Sequence, residues 1–199
     1  MSEKAVSSNQ AKQVVADNIE KQKSSNTVKL SKMGLLIAVS VILSFIHFPI
    51  LPSAPFLELE ISDVPILISG FAFGPISGLV VGAISIFLHD IMVGPASGLY
   101  GSIMHVIAAF VFVLVSGLIY KHKKSRKSAL IGLIAGGLSM TLVMIPANLI
   151  VTPLFLGAPR AAVQAMILPA ILPFNLIKAV VDAVIVFVIY KRISPFLHR

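Results

Sequence analysis

The chain has 199 residues, is 57% hydrophobic and only 12% charged, and has a mean hydropathy of +0.97. Soluble domains carry about 25% charged residues, so these values exclude an ordinary water-soluble fold and point to an integral membrane protein. The net charge is +8 and there is no cysteine, which removes disulfides, thiolate metal sites and cysteine nucleophiles.

Residues 1–30 are polar, with no strong apolar period. They read as a cytoplasmic arm, mostly disordered, with a weak helix near Gln10 to Gln22. The charged stretch is too long for a cleaved signal peptide, and no small-residue cleavage site follows the first apolar run. Residues 31–199 read as one membrane domain.

The first apolar segment runs from Met33 to Leu51, long enough to cross roughly 30 Å of hydrocarbon. In it Gly34 and Ala38 are four apart, a small-xxx-small face that permits close helix packing. The stretch "FPILPSAPFLELEISDVP", Phe48 to Pro65, follows. It has four prolines, and "FLELEI" alternates apolar with acidic residues, a period of two. This predicts a structured outer loop with a strand or hairpin that folds over an opening, with Phe56, Leu57, Glu58 and Asp63 as its lid residues. Glu60 sits in the same acidic run.

Further apolar segments are predicted at about 64–81, 79–93, 99–120, 128–151 and 167–190, with "FGPISG" breaking the second from the third. The fold class is therefore all-α: a six-transmembrane-helix bundle with a structured outer loop between helices one and two. Outer loops are expected at 52–63, about 94–98, and 152–166.

Fourteen of the sixteen Lys and Arg lie in three clusters: before residue 33, in "KHKKSRK" from Lys121 to Lys127, and at Lys191, Arg192 and Arg199. With six helices all three fall on one side. By the positive-inside rule that side is the cytoplasm, which places both termini there in the cell membrane. The clusters suit anionic phospholipid headgroups rather than nucleic acid, which would need them interleaved with aromatics on one surface.

The segment "LPFNLIKAVVDAVIVF", Leu172 to Phe187, carries Asn175, Lys178 and Asp182 at helical spacing. Charge at membrane depth is costly and faces a protein interior or a cavity. Asn175 and Lys178 read as ligand contacts. Asp182, at i+4, reads either as a structural partner of Lys178 or as part of the site. His89 and Asp90, Ser102 and His105, and Asn148 lie near the outer ends of three other helices. Together they suggest a polar-lined pocket open to the outside, although each histidine alone also fits an interhelical hydrogen bond.

No HExxH, GxSxG or P-loop occurs, and no Cys or paired His cluster is present. No catalytic group, metal site or cofactor is expected. Uphill movement of a solute by this chain must then draw on an ion gradient or a partner.

"FLELEISDVPILISGFAFGPISGLVVG" and "PFNLIK" followed by "YKRISP" resemble segments of the substrate-binding S components of energy-coupling factor (ECF) vitamin transporters. The resemblance covers about residues 30–197 and lies nearest the riboflavin-specific S component. It implies a vitamin-binding protein, not an enzyme, with an outer pocket roofed by the first loop. It also implies a transmembrane coupling protein, contacted through Gly34 and Ala38, and two cytoplasmic ATPase subunits. In the riboflavin type the asparagine and lysine of PFNLIK line the pocket, which maps onto Asn175 and Lys178. That type carries "GTSTGGxGELANF" where this chain reads "GPASGLYGSIMH", with Ser102 in place of Glu and His105 in place of Asn. The expected ligand is riboflavin or a related B vitamin. Pantothenate is the alternative, since Lys178 and a histidine suit its carboxylate; hydroxymethylpyrimidine is another. A stand-alone secondary transporter ranks below these, because no inverted repeat is visible.

Overall fold

The computed structural model describes residues 2–92 and 98–197. The expected connection near 94–98 lies outside the described residues as far as 97. The elements in chain order are α1 (Ser2–Ser44), β1 (His47–Pro49), β2 (Glu58–Glu60), α2 (Asp63–Phe73), α3 (Pro75–Met92), α4 (Gly98–His122), α5 (Arg126–Leu156), α6 (Arg160–Met166), a π-helical turn (Ile167–Ile171) and α7 (Leu172–Leu197).

Among the described residues five helical stretches are long and apolar enough to cross a membrane: Asn18–Ser44, Pro75–Met92, Gly98–His122, Arg126–Leu156 and Arg160–Tyr190. The apolar α2 has 11 residues, about 16 Å of helix, and does not span on its own. The break expected at "FGPISG" falls at Gly74, between α2 and α3. Its φ of 98° is open to glycine at low cost, and Pro75 behind it starts α3 cleanly.

The segment before residue 30 differs from the expected arm, because α1 is helical from Ser2. Ala, Lys, Glu and Gln there are good helix formers, and residues 18–31 are exposed. The expected 152–166 loop also shrinks, to 157–159. α5 continues through apolar Leu154–Leu156 and ends on Gly157, at φ 60°, whose backbone N–H bonds to the Pro153 carbonyl.

β1 and β2 pair antiparallel, in the register His47 with Glu60, Phe48 with Leu59 and Pro49 with Glu58. The period of two is visible in the burial: Leu59 is inside, while Glu58 and Glu60, on the other face, are only partly buried. Ser40 Oγ of α1 donates to the Ser62 carbonyl at 2.8 Å, tying α1 to the start of α2.

The helices are apolar on both faces. On α7, Ala179, Asp182, Val186 and Tyr190 are buried, while Val180, Val184 and Val188 are exposed. On α5, Leu133 and Met140 are buried and Ile134, Leu138 and Leu142 exposed. Apolar residues outside as well as inside suit lipid around the bundle. Close backbone approach sets the helix packing. A Cβ on Gly132 would lie 2.8 Å from the Ser116 carbonyl oxygen of α4, and one on Gly78 would lie 2.9 Å from Gly70 Cα and 2.5 Å from Val113 Cγ1. A Cβ on Gly34, by contrast, meets nothing within 4 Å.

Gly78→Ala is therefore expected to lower stability by about 1–3 kcal/mol, the usual cost of overpacking. Gly34→Ala leaves it unchanged. Thermal unfolding of both variants in the same detergent checks the contrast, and equal melting temperatures would contradict the close α2–α3 contact.

Candidate functional site

Asp63 is the first residue of α2, where the helix dipole favours a carboxylate. Lys178 comes from the second turn of α7. Their side chains meet at 2.8 Å, Lys178 Nζ to Asp63 Oδ2. Asp182, one turn further along α7, stands 3.6 Å from the same ammonium. Lys178 Nζ also donates to the Glu60 carbonyl of β2 at 3.3 Å. His105 of α4 closes the cluster: its Nε2 is 2.9 Å from both Glu60 Oε1 and Asp63 Oδ1.

This is a buried charge cluster built from four elements. Lys178 is 5% exposed, Asp63 1% and Asp182 not at all. Burial raises the Glu60 carboxyl, but the charge of His105 and its hydrogen bond, together with Lys178, outweigh burial and bring it down to about 2. Glu60 is thus a carboxylate under ordinary conditions.

Beside the cluster lies a cavity with about 700 Å³ of atom-free space, its open mouth included. That is the size range of small-molecule sites. Phe56, Leu57 and Glu58 from the hairpin line one side; Tyr100, Gly101, Met104, His105 and Ala108 of α4 line another. Met144, Asn148, Val151, Thr152 and Phe155 of α5 and Phe174, Asn175 and Lys178 of α7 complete it. Phe155 stands 6.0 Å from Phe56 and 6.4 Å from Tyr100 between ring centroids, so three elements bring aromatic rings together here.

Two amides are held from behind. Asn175 Nδ2 donates to the Ile171 carbonyl at 2.8 Å. Asn148 Nδ2 donates to the Met144 carbonyl at 2.7 Å, and Thr152 Oγ1 donates to Asn148 Oδ1 at 2.9 Å. The π-helical turn before α7 contains Pro169, and Pro173 follows it. Such turns depart from the regular ladder, and the Asn175 amide bonds back to Ile171 at its end.

Of the residues singled out in the sequence, Asn175, Lys178, His105, Asn148, Phe56, Leu57 and Glu58 line the cavity. Asp63 lies in the charge cluster instead. Ser102 is off the cavity wall, and its hydroxyl has no hydrogen-bond partner among the described residues. His89 and Asp90 face each other at 3.5 Å, with Phe45 edge-on to His89 at 6.3 Å, and neither lines the cavity. These three share the depth of the site but occupy other helix faces. The sequence reading missed Glu60 as a site residue, although the alternation of "FLELEI" put it on the face opposite Leu59. It also missed Tyr100, Phe155 and Phe174, whose apolar lining carries no chemical signal. Gly34 and Ala38 are both exposed on α1. No group of three or more metal-ligating side chains occurs among the described residues.

Over residues 28–190 the chain matches the family described as ECF transporter, substrate-specific component. The riboflavin transporter RibU of Staphylococcus aureus (strain TCH60) is 33% identical over 179 residues, covering 86% of this chain and 93% of that protein. The riboflavin transporter FmnP of Bacillus subtilis (strain 168) is 29% identical over 179 residues, covering 86% and 94%. A solved S component of a bacterial ECF transporter superimposes with a TM-score of 0.77 at 33% identity, covering 87% of this chain and 99% of that one.

As a pure ligand contact, Lys178 could be changed to Met without loss of the fold. The geometry changes that expectation. Methionine leaves Asp182 without a cation and Asp63 with His105 alone. Stripping one partner from a buried pair costs about 3–5 kcal/mol, so the melting temperature of Lys178→Met should fall sharply. Adding Asp182→Asn should recover part of the loss. A Lys178→Met protein as stable as the wild type would show that the cluster contributes nothing to the fold.

Proposed function

This chain belongs to the family of ECF transporter substrate-specific components, and we propose that it binds riboflavin for uptake into the cell. Members of this family are transporter components, not enzymes. The observation that carries the riboflavin reading is the charge closure beside an aromatic-lined cavity. Lys178 already meets Asp63 and Asp182, and His105 already meets Glu60 and Asp63. No cation in the cluster is left over for a ligand carboxylate. A carboxylate such as that of pantothenate would enter a site already holding three acidic groups and would have to compete with them. A neutral, flat, conjugated ring fits better. Phe56, Tyr100, Phe155 and Phe174 supply apolar surface, and the Asn175 amide supplies hydrogen bonds to the polar edge of the ring. The riboflavin transporters among the relatives support the same choice.

In this reading α2 is the short second member of a six-helix bundle. The basic clusters and both termini face the cytoplasm, and the β1–β2 hairpin lies outside as the lid of the cavity. Asn175, Asn148 and His105 contact the ligand or orient groups that do. The exposed Gly34 and Ala38 offer a close-packing face to a transmembrane coupling protein. As the resemblance to ECF S components implies, two ATPase subunits bound to that protein supply the energy.

Purification in mild detergent followed by an absorbance scan and mass spectrometry of released small molecules tests the reading. The expected sample is yellow, releases a flavin, and retains it in the presence of excess pantothenate. A colourless sample that releases pantothenate or another vitamin would overturn riboflavin as the ligand.

A further inference from the structure

A two-stranded ribbon with three residues per strand is not stable by itself in water; something must hold the β1–β2 hairpin over the cavity. Its apolar anchors are Leu59, which points inside, and Ala54, which is 0% exposed. The His47–Glu58 contact at 3.8 Å lies within the hairpin and holds nothing down. The polar anchors sit at Glu60. Its carboxylate meets His105 Nε2 of α4 at 2.9 Å, and its carbonyl accepts from Lys178 Nζ at 3.3 Å.

The division of labour inside the cluster is informative. Asp63 has two partners, Lys178 at 2.8 Å and His105 at 2.9 Å, and with Asp182 behind Lys178 this group holds α2, α4 and α7 together. The Glu60 carboxylate has one ion-pair partner, His105. Breaking that contact leaves the base of β2 held only by the longer bond from Lys178 to the Glu60 carbonyl at 3.3 Å, while the Asp63–Lys178 pair keeps the helices joined. From this geometry we propose that Glu60 and His105 form a latch. They are positioning residues that hold the hairpin closed over the cavity and set how readily it lifts. That the hairpin roofs a vitamin site rests on the function proposed above; the latch itself concerns the hairpin alone.

The absence of cysteine from the chain makes a clean reporter available. Ala54→Cys adds one sulfur at a position with no solvent exposure, so its thiol reacts with a water-soluble maleimide only when the loop lifts. The experiment measures the labelling rate of this variant in lipid nanodiscs without vitamin. A second substitution is then added: Glu60→Gln, His105→Gln, both together, or His89→Gln as a control away from the cavity.

Charge-assisted hydrogen bonds are the strong class, and losing one should speed labelling roughly tenfold. Glu60→Gln and His105→Gln should each show at least this, the pair together no more than His105→Gln alone, and His89→Gln no change. Both single changes break the Glu60–His105 contact, but His105→Gln also removes the His105–Asp63 contact, so Glu60→Gln decides the test and His105→Gln supports it. Unchanged labelling in the folded variant, or effects of the two changes that multiply, would overturn the latch. The labelling needs no ligand, so failure to bind riboflavin would sink the proposed function and leave this result standing.

Discussion

A lysine ammonium at membrane depth persists only where other groups replace the water it has lost. Here the replacement is Asp63, 2.8 Å away, with Asp182 at 3.6 Å and a backbone carbonyl at 3.3 Å. Most of the site follows from that requirement. Asp63 must stand at the start of α2 to reach Lys178, so α2 must begin beside the second turn of α7. α2 in turn pulls the end of the hairpin against the bundle, because only Ile61 and Ser62 separate Asp63 from β2. Three acidic groups around one lysine need a second basic partner, and His105 stands between two of them. The pair is costly to assemble in a low dielectric and costlier to break on one side. The fold therefore tolerates little change at any of the four elements that contribute to it.

The same closure gives the cavity its chemistry. Charged groups at the wall are already matched to one another, so the remaining surface recognises shape and hydrogen bonding more than charge. Aromatic rings from the hairpin loop, α4 and α5 gather at the mouth, while amides from α5 and α7 are fixed by bonds to their own helices. Preorganised amides lose little entropy when a ligand binds.

How much of this was legible in the sequence depends on distance along the chain. The ladder Asn175, Lys178, Asp182 is a local pattern, and the i, i+3, i+7 spacing was enough to place all three on one face of a helix. The hairpin was legible from the alternation of "FLELEI". The principal partner of Lys178 was not, because Asp63 is more than a hundred residues away and no periodicity links them. Ser102, His89 and Asp90 show a different limit. Hydropathy fixes how deep a residue sits but not its angle around the helix, so polar residues at one depth were gathered into one pocket when some face elsewhere. One helix end moved for a third reason: Gly157 stops α5 through backbone conformation, and the apolar composition before it does not record the stop.

The end of the bundle away from the cavity explains why binding and transport are separate tasks. On α4 the cavity lining ends at Ala108, and Tyr120 lies 12 residues on, about 18 Å along the helix. There the Tyr120 and Tyr190 hydroxyls bond to each other at 2.6 Å, and Phe71 packs on both rings at 4.8 and 5.5 Å. Between the two levels Phe112, Leu133 and Met140 are fully buried, and glycines bring α4 and α5 into backbone contact. The interior is filled as a protein core is filled, so the cavity is a cup with a solid floor. The polar chemistry of the cavity sits at one end of this filled bundle, and the exposed α1 carries Gly34 and Ala38 with open space above the glycine.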